Sequence, residues 1–342
     1  MRGMRLIWGP VLAAGMLVVG PGGTAGACAC GGIVSPDLDA RVTGEQSLIT
    51  IDGTAETIVM GLDLQSVADH AALIVPTPTP ATATAANANL FAELERLTAP
   101  RVEGGGGGRS ALDEAGAVPG GGPTVVARVQ LGPLEATTLT GGDLSGVQRW
   151  LDEEGYTMRP EVTAQLDPYL KQGWSFVAMR LTGEQPLSGQ LDPVRLDFTS
   201  DTLVYPMRMS AAAKDAQHVV IYTLAPHRMQ RTDADAAHQD VTVDYAGTIE
   251  GRTSDEILTE LSAKNRYLTK LSTTISEPSS ITTDFVFGPA PNDDPYQRVI
   301  HRGGDDDSAG ALALALGASV VVIIVAATVG VVATVRHRRS AP

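Results

Sequence analysis

The stretch His218-Val-Val-Ile-Tyr-Thr-Leu224 determines the fold class that we predict, because β-branched and aromatic residues fill most of its positions. A short apolar run of this composition is typical of a strand buried on both faces. Trp174–Leu181 has the same character, so we expect both segments to be central strands of their sheets. In Val194–Phe198 and Asp240–Tyr245 apolar and polar residues alternate, which predicts strands with one buried and one solvent-facing side. Three more segments have strand composition: Thr54–Leu62, Ala71–Val75 and Val125–Leu131.

Other segments repeat apolar residues at helical spacing. Helices are predicted over Leu90–Thr98, Asp143–Glu154 and Pro160–Gln172. We expect Asn89 to cap the first helix, since its side chain can accept a bond from an unpaired backbone N–H group. Gly173 is expected to end the third, because glycine readily adopts the left-handed conformation found after helices.

A fourth helix is predicted after a capping box formed by Thr253 and Glu256. Its apolar stripe is expected to include Ile257, Leu258, Leu261, Leu268 and Leu271. Strands and helices do not alternate regularly along the chain. The sequence therefore predicts an α+β domain with mixed or antiparallel strands and a few amphipathic helices.

The composition excludes several classes of protein. The chain has 342 residues, of which 43% are hydrophobic and 19% charged, so it is too apolar to be a polar, highly charged disordered chain. Its formal net charge of -14 disfavours nucleic-acid binding, because an acidic surface repels phosphate. No Asp or Glu precedes residue 28 or follows residue 307, so the acidity is concentrated in the middle of the chain.

The amino end has the three parts of a secretory signal peptide. Met1–Arg5 is basic, Leu6–Val19 is apolar, and Ala25–Ala27 supplies the small residues of a cleavage site. We therefore predict a signal peptide over residues 1–27 and an exported α+β domain over residues 28–302.

The carboxyl end is typical of a membrane anchor. Ser308–Val335 contains no charged residue, and a helix over 310–335 is long enough to cross a bilayer core of about 30 Å. Residues 303–309 are the predicted juxtamembrane linker. Residues 336–342 are basic, and basic flanks stay on the cytoplasmic side. We therefore predict one C-terminal transmembrane helix in the cell membrane, with the domain outside and a cytoplasmic tail.

Two low-complexity stretches interrupt the domain. Residues 103–123 are rich in glycine and are predicted to form a flexible loop. Pro76–Thr84 alternates Pro, Thr and Ala. This second stretch is interpreted either as an extended connection after a strand or as a site of O-linked sugar attachment.

Cys28 and Cys30 are the two cysteines of the chain, and they would open the mature protein. In an oxidising compartment a local disulfide that fixes the terminus is favoured. A bridge over one intervening residue is strained and easily reduced, which would suit thiol exchange. Pairing with another chain and lipidation of Cys28 are further alternatives.

The sequence contains no recognisable set of catalytic, cofactor-binding or metal-binding residues, and no cofactor is expected. His227 follows a predicted strand and is the one histidine that we single out as a candidate functional residue; a structural role is its alternative. The paired carboxylates Glu153 and Glu154 are placed on a solvent-facing side of their helix.

Several segments resemble the bacterial family known as domain of unknown function 2330. They are Ala27–Gly32, Ile58–Met60, Leu73–Pro78, Leu90–Arg101, Tyr205–Arg208 and Leu224–Met229. The resemblance covers most of residues 27–300, and the Gly-rich stretch at 103–123 looks like an insertion in this member. It implies an exported, often membrane-anchored protein of actinobacteria and related bacteria, and it assigns no catalytic residue.

These observations together predict a non-enzymatic binding or interaction module of the bacterial cell envelope, held at the membrane by its C-terminal helix. The alternative is an envelope enzyme, either a hydrolase or a thiol-disulfide oxidant, with a spatially assembled site. A cleft with convergent ionisable side chains would favour the enzyme.

Overall fold

The structure is a computed structural model, and it describes residues 32–34, 41–65, 72–103, 124–156, 159–181, 188–249 and 251–301. The predictions for the signal peptide 1–27, for Cys28 and Cys30, for most of the loop 103–123, and for residues 303–342 lie outside the described residues.

The described residues form four α-helices, three short 3-10 helices and nineteen strands. The α-helices are α1 (Leu90–Thr98), α2 (Leu144–Glu153), α3 (Pro160–Lys171) and α4 (Glu256–Ser262). The 3-10 helices are Arg208–Ala212, Ala234–Ala237 and Pro278–Ser280. The strands are β1 (Gly32–Val34), β2 (Arg41–Asp52), β3 (Ala55–Gln65), β4 (Ala72–Thr77), β5 (Thr82–Ala85), β6 (Arg101–Glu103), β7 (Thr124–Leu131), β8 (Leu134–Thr140), β9 (Ser175–Leu181), β10 (Ser188–Gln190), β11 (Val194–Thr199), β12 (Leu203–Tyr205), β13 (Gln217–Ala225), β14 (Met229–Arg231), β15 (Asp240–Thr248), β16 (Tyr267–Ile275), β17 (Phe285–Pro289), β18 (Tyr296–Gln297) and β19 (Val299–His301).

The chain divides into two compact units. Of the described residues, those between 32 and 99 and between 124 and 297 belong to the first unit, and residues 100–103 and 298–301 belong to the second. The described part of the second unit is the parallel pair β6 and β19. The description that follows concerns the first unit.

Three sheets make up the first unit. The largest has nine strands in the order β18-β15-β16-β13-β2-β3-β11-β5, with β10 also paired to β3. It is mixed, because β13 runs parallel to β2 while the other neighbours are antiparallel. An antiparallel sheet has the order β1-β4-β9-β8-β7, and a small one has the order β12-β17-β14. The fold is therefore a sheet-rich α+β fold, as predicted.

The main core contains apolar side chains from all three sheets. Val75 and Val177 come from the five-stranded sheet, Ile58 and Ile221 from the nine-stranded sheet, and Phe285 from the small sheet. All five are completely buried. Since successive strand residues point to opposite faces, the neighbours of these residues are directed away from this core.

Helices cover the outer faces of the two large sheets. Trp150 of α2 and Tyr169 of α3 belong to one cluster with Phe176 of β9. A separate cluster around Leu94 of α1 and Leu258 of α4 includes further residues of the nine-stranded sheet. Both large sheets thus bury both faces, which agrees with the apolar runs of their central strands.

The strands predicted from composition are confirmed, with ends that differ by a few residues. The two segments predicted to be central lie between paired neighbours, β13 between β16 and β2, and β9 between β4 and β8. In β15 a bulge between Val243 and Tyr245 interrupts the alternation. The helices α1, α2 and α3 are confirmed as well.

The fourth helix is shorter than predicted. It ends at Ser262, whereas Leu268 and Leu271, expected on its apolar stripe, lie in β16. This strand pairs with β13 on one side and β15 on the other. Its threonine-rich, β-branched composition favours a strand, and pairing on both sides outweighs the helical spacing of its leucines.

Two predicted helix caps are wrong in detail. The N-cap of α4 is Asp255, whose Oδ1 accepts a bond from the Leu258 N–H at 3.0 Å, and Thr253 instead accepts from the Asp255 N–H. Asn89 precedes α1 as its N-cap residue, but its side chain makes no capping bond; its backbone N–H donates to Asn87 Oδ1. Gly173 has a φ of 76° directly after the end of α3, as predicted.

Within the described residues, none of the helices combines the length and the apolar composition that crossing a membrane requires. The segment 310–335, predicted to be a transmembrane helix, lies outside the described residues.

The contact between α1 and β3 yields the first prediction. A Cβ atom at Gly61 would lie 2.6 Å from Phe91 Cε2, too close for two carbon atoms. We expect Gly61→Ala to lower the free energy of unfolding by about 1–3 kcal/mol, as in other overpacked cores. Urea unfolding followed by circular dichroism measures this change.

The matched control is Gly146→Ala in α2, where the added Cβ would make only an ordinary contact with Asp143. Because alanine favours helices more than glycine, this variant should be as stable as the native chain or slightly more stable. Equal stability of both variants would contradict the packing of Phe91 on Gly61.

Candidate functional site

A cleft with a volume of about 500 Å³ opens in the first unit. This volume lies within the range of about 300–1,000 Å³ that is common for ligand sites. Its lining residues come from separate elements: Gln172 and Trp174 after α3, Ser200, Asp201 and Thr202 between β11 and β12, Arg208 after β12, Asp233 and Ala234 after β14, Thr282, Thr283 and Asp284 before β17, and Pro78, Val204 and Val286.

The Asp284 carboxylate of the cleft accepts four hydrogen bonds. Its Oδ1 accepts hydrogen bonds from the Tyr169 hydroxyl, from the Met207 N–H at 2.8 Å and from the Arg208 N–H at 3.1 Å. Its Oδ2 accepts from Arg208 Nε at 2.8 Å. Burial, together with the neighbouring carboxylate, raises the pKa of Tyr169, so this hydroxyl is a permanent donor.

Arg208 is held in a fixed plane. Its guanidinium lies 4.0 Å from the centre of the Tyr169 ring and 5.8 Å from that of Trp174. Its Nη2 also donates to Gln172 Oε1 at 3.1 Å. Stacking and the contacts of Nε and Nη2 with Asp284 Oδ2, both at 2.8 Å, restrict this side chain to one position, while its Nη1 has no hydrogen-bond partner in the described part of the chain.

Asp233 is a second carboxylate of the cleft, and hydrogen-bond donors occupy both of its oxygens as well. Arg231 donates to it in a bidentate pair, with Nη2–Oδ1 at 2.6 Å and Nε–Oδ2 at 3.0 Å. The N–H groups of Ala236 and Val286 donate to it as well. The guanidinium of Arg231 stacks 3.4 Å from the centre of the Phe285 ring. This ion pair is almost completely buried and internally neutral.

Asp235 fixes the wall of the cleft that precedes β17. It accepts bonds from the Thr282 N–H and hydroxyl and from the Thr283 N–H, all between 2.6 and 2.9 Å. Burial alone would raise the pKa of Asp235, but these bonds outweigh burial and lower it. Because the carboxylate is charged and fully bonded, it holds the backbone of both threonines in place.

A second wall of the cleft, which contains residues 200–202, is fixed by hydroxyl groups. Thr79 Oγ1 donates to the Thr199 carbonyl and accepts from the Thr199 N–H, both at 2.8 Å. Ser200 Oγ donates to the Thr202 carbonyl at 2.6 Å. These bonds secure the loop between β11 and β12, so both walls are formed before any ligand arrives.

Glu56 lies directly behind this wall. Its Oε1 accepts from the Val204 N–H at 2.9 Å, and its Oε2 has no hydrogen-bond partner among the described residues. Burial raises the pKa of Glu56 to about 8, and the hydrogen bond from the Val204 N–H opposes this rise only in part. At neutral pH this carboxyl group is therefore protonated.

The bonding pattern limits the chemistry of the cleft. A general base needs a free lone pair on an accessible oxygen, and the oxygens of Asp284 and Asp233 are occupied by donors. Among the described residues, no cluster of His, Cys, Asp and Glu side chains could hold a metal ion. The arrangement is suited to holding a ligand by hydrogen bonds and ring contacts.

The structure places His227 in an exposed turn between β13 and β14. Its Nδ1 lies 2.8 Å from Asp293 Oδ2, and Asp293 also accepts from the Arg228 N–H. His227 does not line the cleft. In the part of the chain that the structure describes, no hydroxyl or thiol bonds to this ring, and the functional role of His227 stays a prediction.

Sequence reasoning missed the residues that build the cleft. Tyr169, Asp201 and Asp284 belong to distant segments and have no shared motif. One signal pointed to this region: the segment Tyr205–Arg208, noted for its family resemblance, supplies the arginine that stacks on the Tyr169 ring and lines the cleft.

The raised pKa of Glu56 leads to a prediction of pH dependence. The native state holds this proton more tightly than the unfolded chain, whose value is near 4.5. The native protein therefore loses stability as the pH rises from about 4.5 through about 8. In Glu56→Gln this loss is absent, so the variant should gain a few kcal/mol relative to the native chain across that window.

The measurement is urea unfolding of both proteins at about pH 5 and about pH 8.5. Glu153→Gln, a substitution of an exposed glutamate, is the control and should leave the difference between the two pH values unchanged. A constant difference between Glu56→Gln and the native chain would show that Glu56 is already ionised when folded.

Comparisons with known proteins identify a family. No curated protein matches the chain in sequence. Among solved structures, the crystal structure of baculovirus P35 is similar, with a TM-score of 0.39 and 10% sequence identity over 78% of this chain and 99% of that chain. A similarity this low carries no argument about function. The family model described as an uncharacterized protein conserved in bacteria (DUF2330) matches residues 24–288. This match spans more than half of the sequence, and the chain therefore belongs to the DUF2330 family.

Proposed function

We propose that this chain is a ligand-binding protein of the bacterial cell envelope. A signal peptide over residues 1–27 directs export, and a transmembrane helix over 310–335 retains the protein in the cell membrane. The acidic domain then faces outward and the basic tail 336–342 stays in the cytoplasm. The order of basic, apolar and small residues at the amino end and the charge-free run at the carboxyl end support this arrangement.

The observation that carries the binding function is the occupied state of two of the three carboxylates that line the cleft. Asp233 and Asp284 each have an arginine and backbone N–H groups as partners. Such groups are rigid and electrically compensated, which favours shape and hydrogen-bond recognition over proton transfer. Trp174, Gln172 and Thr202 also line the cleft and offer an indole ring, an amide and a hydroxyl to a ligand.

An envelope hydrolase is the alternative that the converging ionisable side chains would favour. Arg208, Asp233 and Asp284 do line one cleft, but their bonds leave no free base or nucleophile among them, and Asp201 is a single free carboxylate without a second one to act with it. The thiol-disulfide alternative depends on Cys28 and Cys30, which lie outside the described residues. Binding is therefore the function that the described geometry supports best.

The proposed topology predicts a protease-protection pattern. With an epitope tag added after Pro342, external protease applied to intact spheroplasts should digest the domain and spare the tagged tail. Permeabilised spheroplasts should lose the tag as well. Digestion of the tag in intact spheroplasts, or protection of the domain, would contradict an outward-facing, tail-anchored protein.

The binding function predicts ligand-induced stabilisation that depends on the cleft. A ligand at a hundred times its Kd stabilises the native state by about 2.7 kcal/mol, which raises the Tm by several degrees. We expect such a shift for at least one of four probe classes: neutral sugars, inorganic phosphate, spermidine and indole. Asp201→Asn or Trp174→Ala should reduce the shift.

Two variants outside the cleft are matched controls. Asp240→Asn removes another exposed carboxylate, and Tyr296→Ala removes an aromatic side chain that is 44% exposed. Both should keep the full shift. If no probe class raises the Tm, or if all four variants respond alike, the cleft is not a binding site.

A further inference from the structure

The side chains that remain available in the cleft are few and differ in character. Trp174 and Gln172 lie on one wall, Asp201 and Thr202 on another. Gln172 uses its Oε1 for Arg208, which leaves its NH₂ group available. The side chains of Asp201 and Thr202 make no hydrogen bond within the described residues. A ligand thus meets an indole, an amide donor, a hydroxyl and one carboxylate.

The charges of the cleft argue against a strongly charged ligand. Arg208 is the one basic residue among those that line it, and Asp284 neutralises this arginine. A polyanion would therefore meet the uncompensated charge of Asp201 without a free cation. A multivalent cation would find a single free carboxylate, because Asp233 and Asp284 are occupied. An uncharged, polar ligand fits this balance.

The partly exposed Trp174 adds a second requirement, namely that one face of the ligand be apolar. Tyr169 packs against its ring with a centroid distance of 4.9 Å and holds the indole in place. The negative face of an indole attracts C–H groups that carry partial positive charge. A ligand that presents C–H groups on one face and hydroxyl groups around its edge would satisfy both the indole and the polar side chains.

From this combination we infer that the cleft binds a neutral saccharide, with one sugar ring against Trp174 and its hydroxyl groups on Asp201, Thr202 and Gln172. The inference rests on the proposed binding function and names the ligand class of the same cleft. Asp201 accepts from two hydroxyls of the ring, while Arg208 Nη1 and the Gln172 amide donate to ring oxygens. The preformed walls reduce the entropy lost when a small, rigid ring binds.

The test uses saturation-transfer difference NMR on the full chain in lauryldimethylamine oxide, a detergent without a sugar headgroup. The probes are glucose, mannose, N-acetylglucosamine, maltose and cellobiose, with inorganic phosphate, spermidine and indole as the competing classes. We expect at least one saccharide to bind, with the strongest transfer to ring C–H protons. Binding should weaken about tenfold in Asp201→Asn, which removes a charged hydrogen-bond acceptor, and at least as much in Trp174→Ala.

Trp174→Phe keeps an aromatic face and should bind within a few-fold of the native chain. This variant shows whether the loss of binding in Trp174→Ala comes from the missing ring or only from misfolding. Tyr296→Ala should bind as the native chain does. If indole, phosphate or spermidine binds in a Trp174- and Asp201-dependent way and no saccharide does, the saccharide inference is overturned and the binding function stands. If nothing binds, both fail. Saccharide binding that neither variant weakens also overturns the inference.

Discussion

The Asp284 carboxylate joins three parts of the first unit that are far apart in sequence. It binds the hydroxyl of Tyr169 on α3, the backbone after β12 at Met207 and Arg208, and the guanidinium of Arg208. Asp284 itself directly precedes β17. One buried charge therefore fixes the helix layer, the small sheet and the cleft relative to one another. Removing one partner from such a buried pair leaves an uncompensated charge and generally destabilises a protein by about 3–5 kcal/mol.

Two other buried carboxyl groups differ although they are equally buried, because one has neighbouring cations and the other has none. Glu135 is as buried as Glu56, but it lies 3.3 Å from Arg128 and 2.6 Å from Arg180, so cations compensate it. Glu56 accepts only from the backbone N–H of Val204, and it keeps its proton instead. The domain thus contains buried carboxylates that are paired and a buried carboxyl that is neutral. Both kinds are glutamates, so the residue type in the sequence does not distinguish the paired carboxylate from the neutral carboxyl group.

The fold was largely predictable because its signals are local. Alternation and apolar runs identified the main strands, and the apolar stripes of α1, α2 and α3 were sufficient for helices. The failures occur where tertiary contacts outweigh local preference. Leu268 and Leu271 have helical spacing with α4, yet both lie in a strand with two neighbours. Glu154, predicted on a solvent-facing side, instead pairs with Arg128 and Arg180.

The cleft was not predictable for a related reason. Asp201, Asp233 and Asp284 are ordinary aspartates in the sequence, and nothing in their neighbourhoods sets them apart. Only the fold shows that Arg231 and Arg208 neutralise two of them and that the third has no partner in the described residues. The capacity of a carboxylate to act as a base, bind a metal or accept from a ligand depends on which donors already occupy its oxygens. Because that occupancy arises from long-range contacts, a sequence lists the groups from which a site is made, and the fold determines which of them remain free to act.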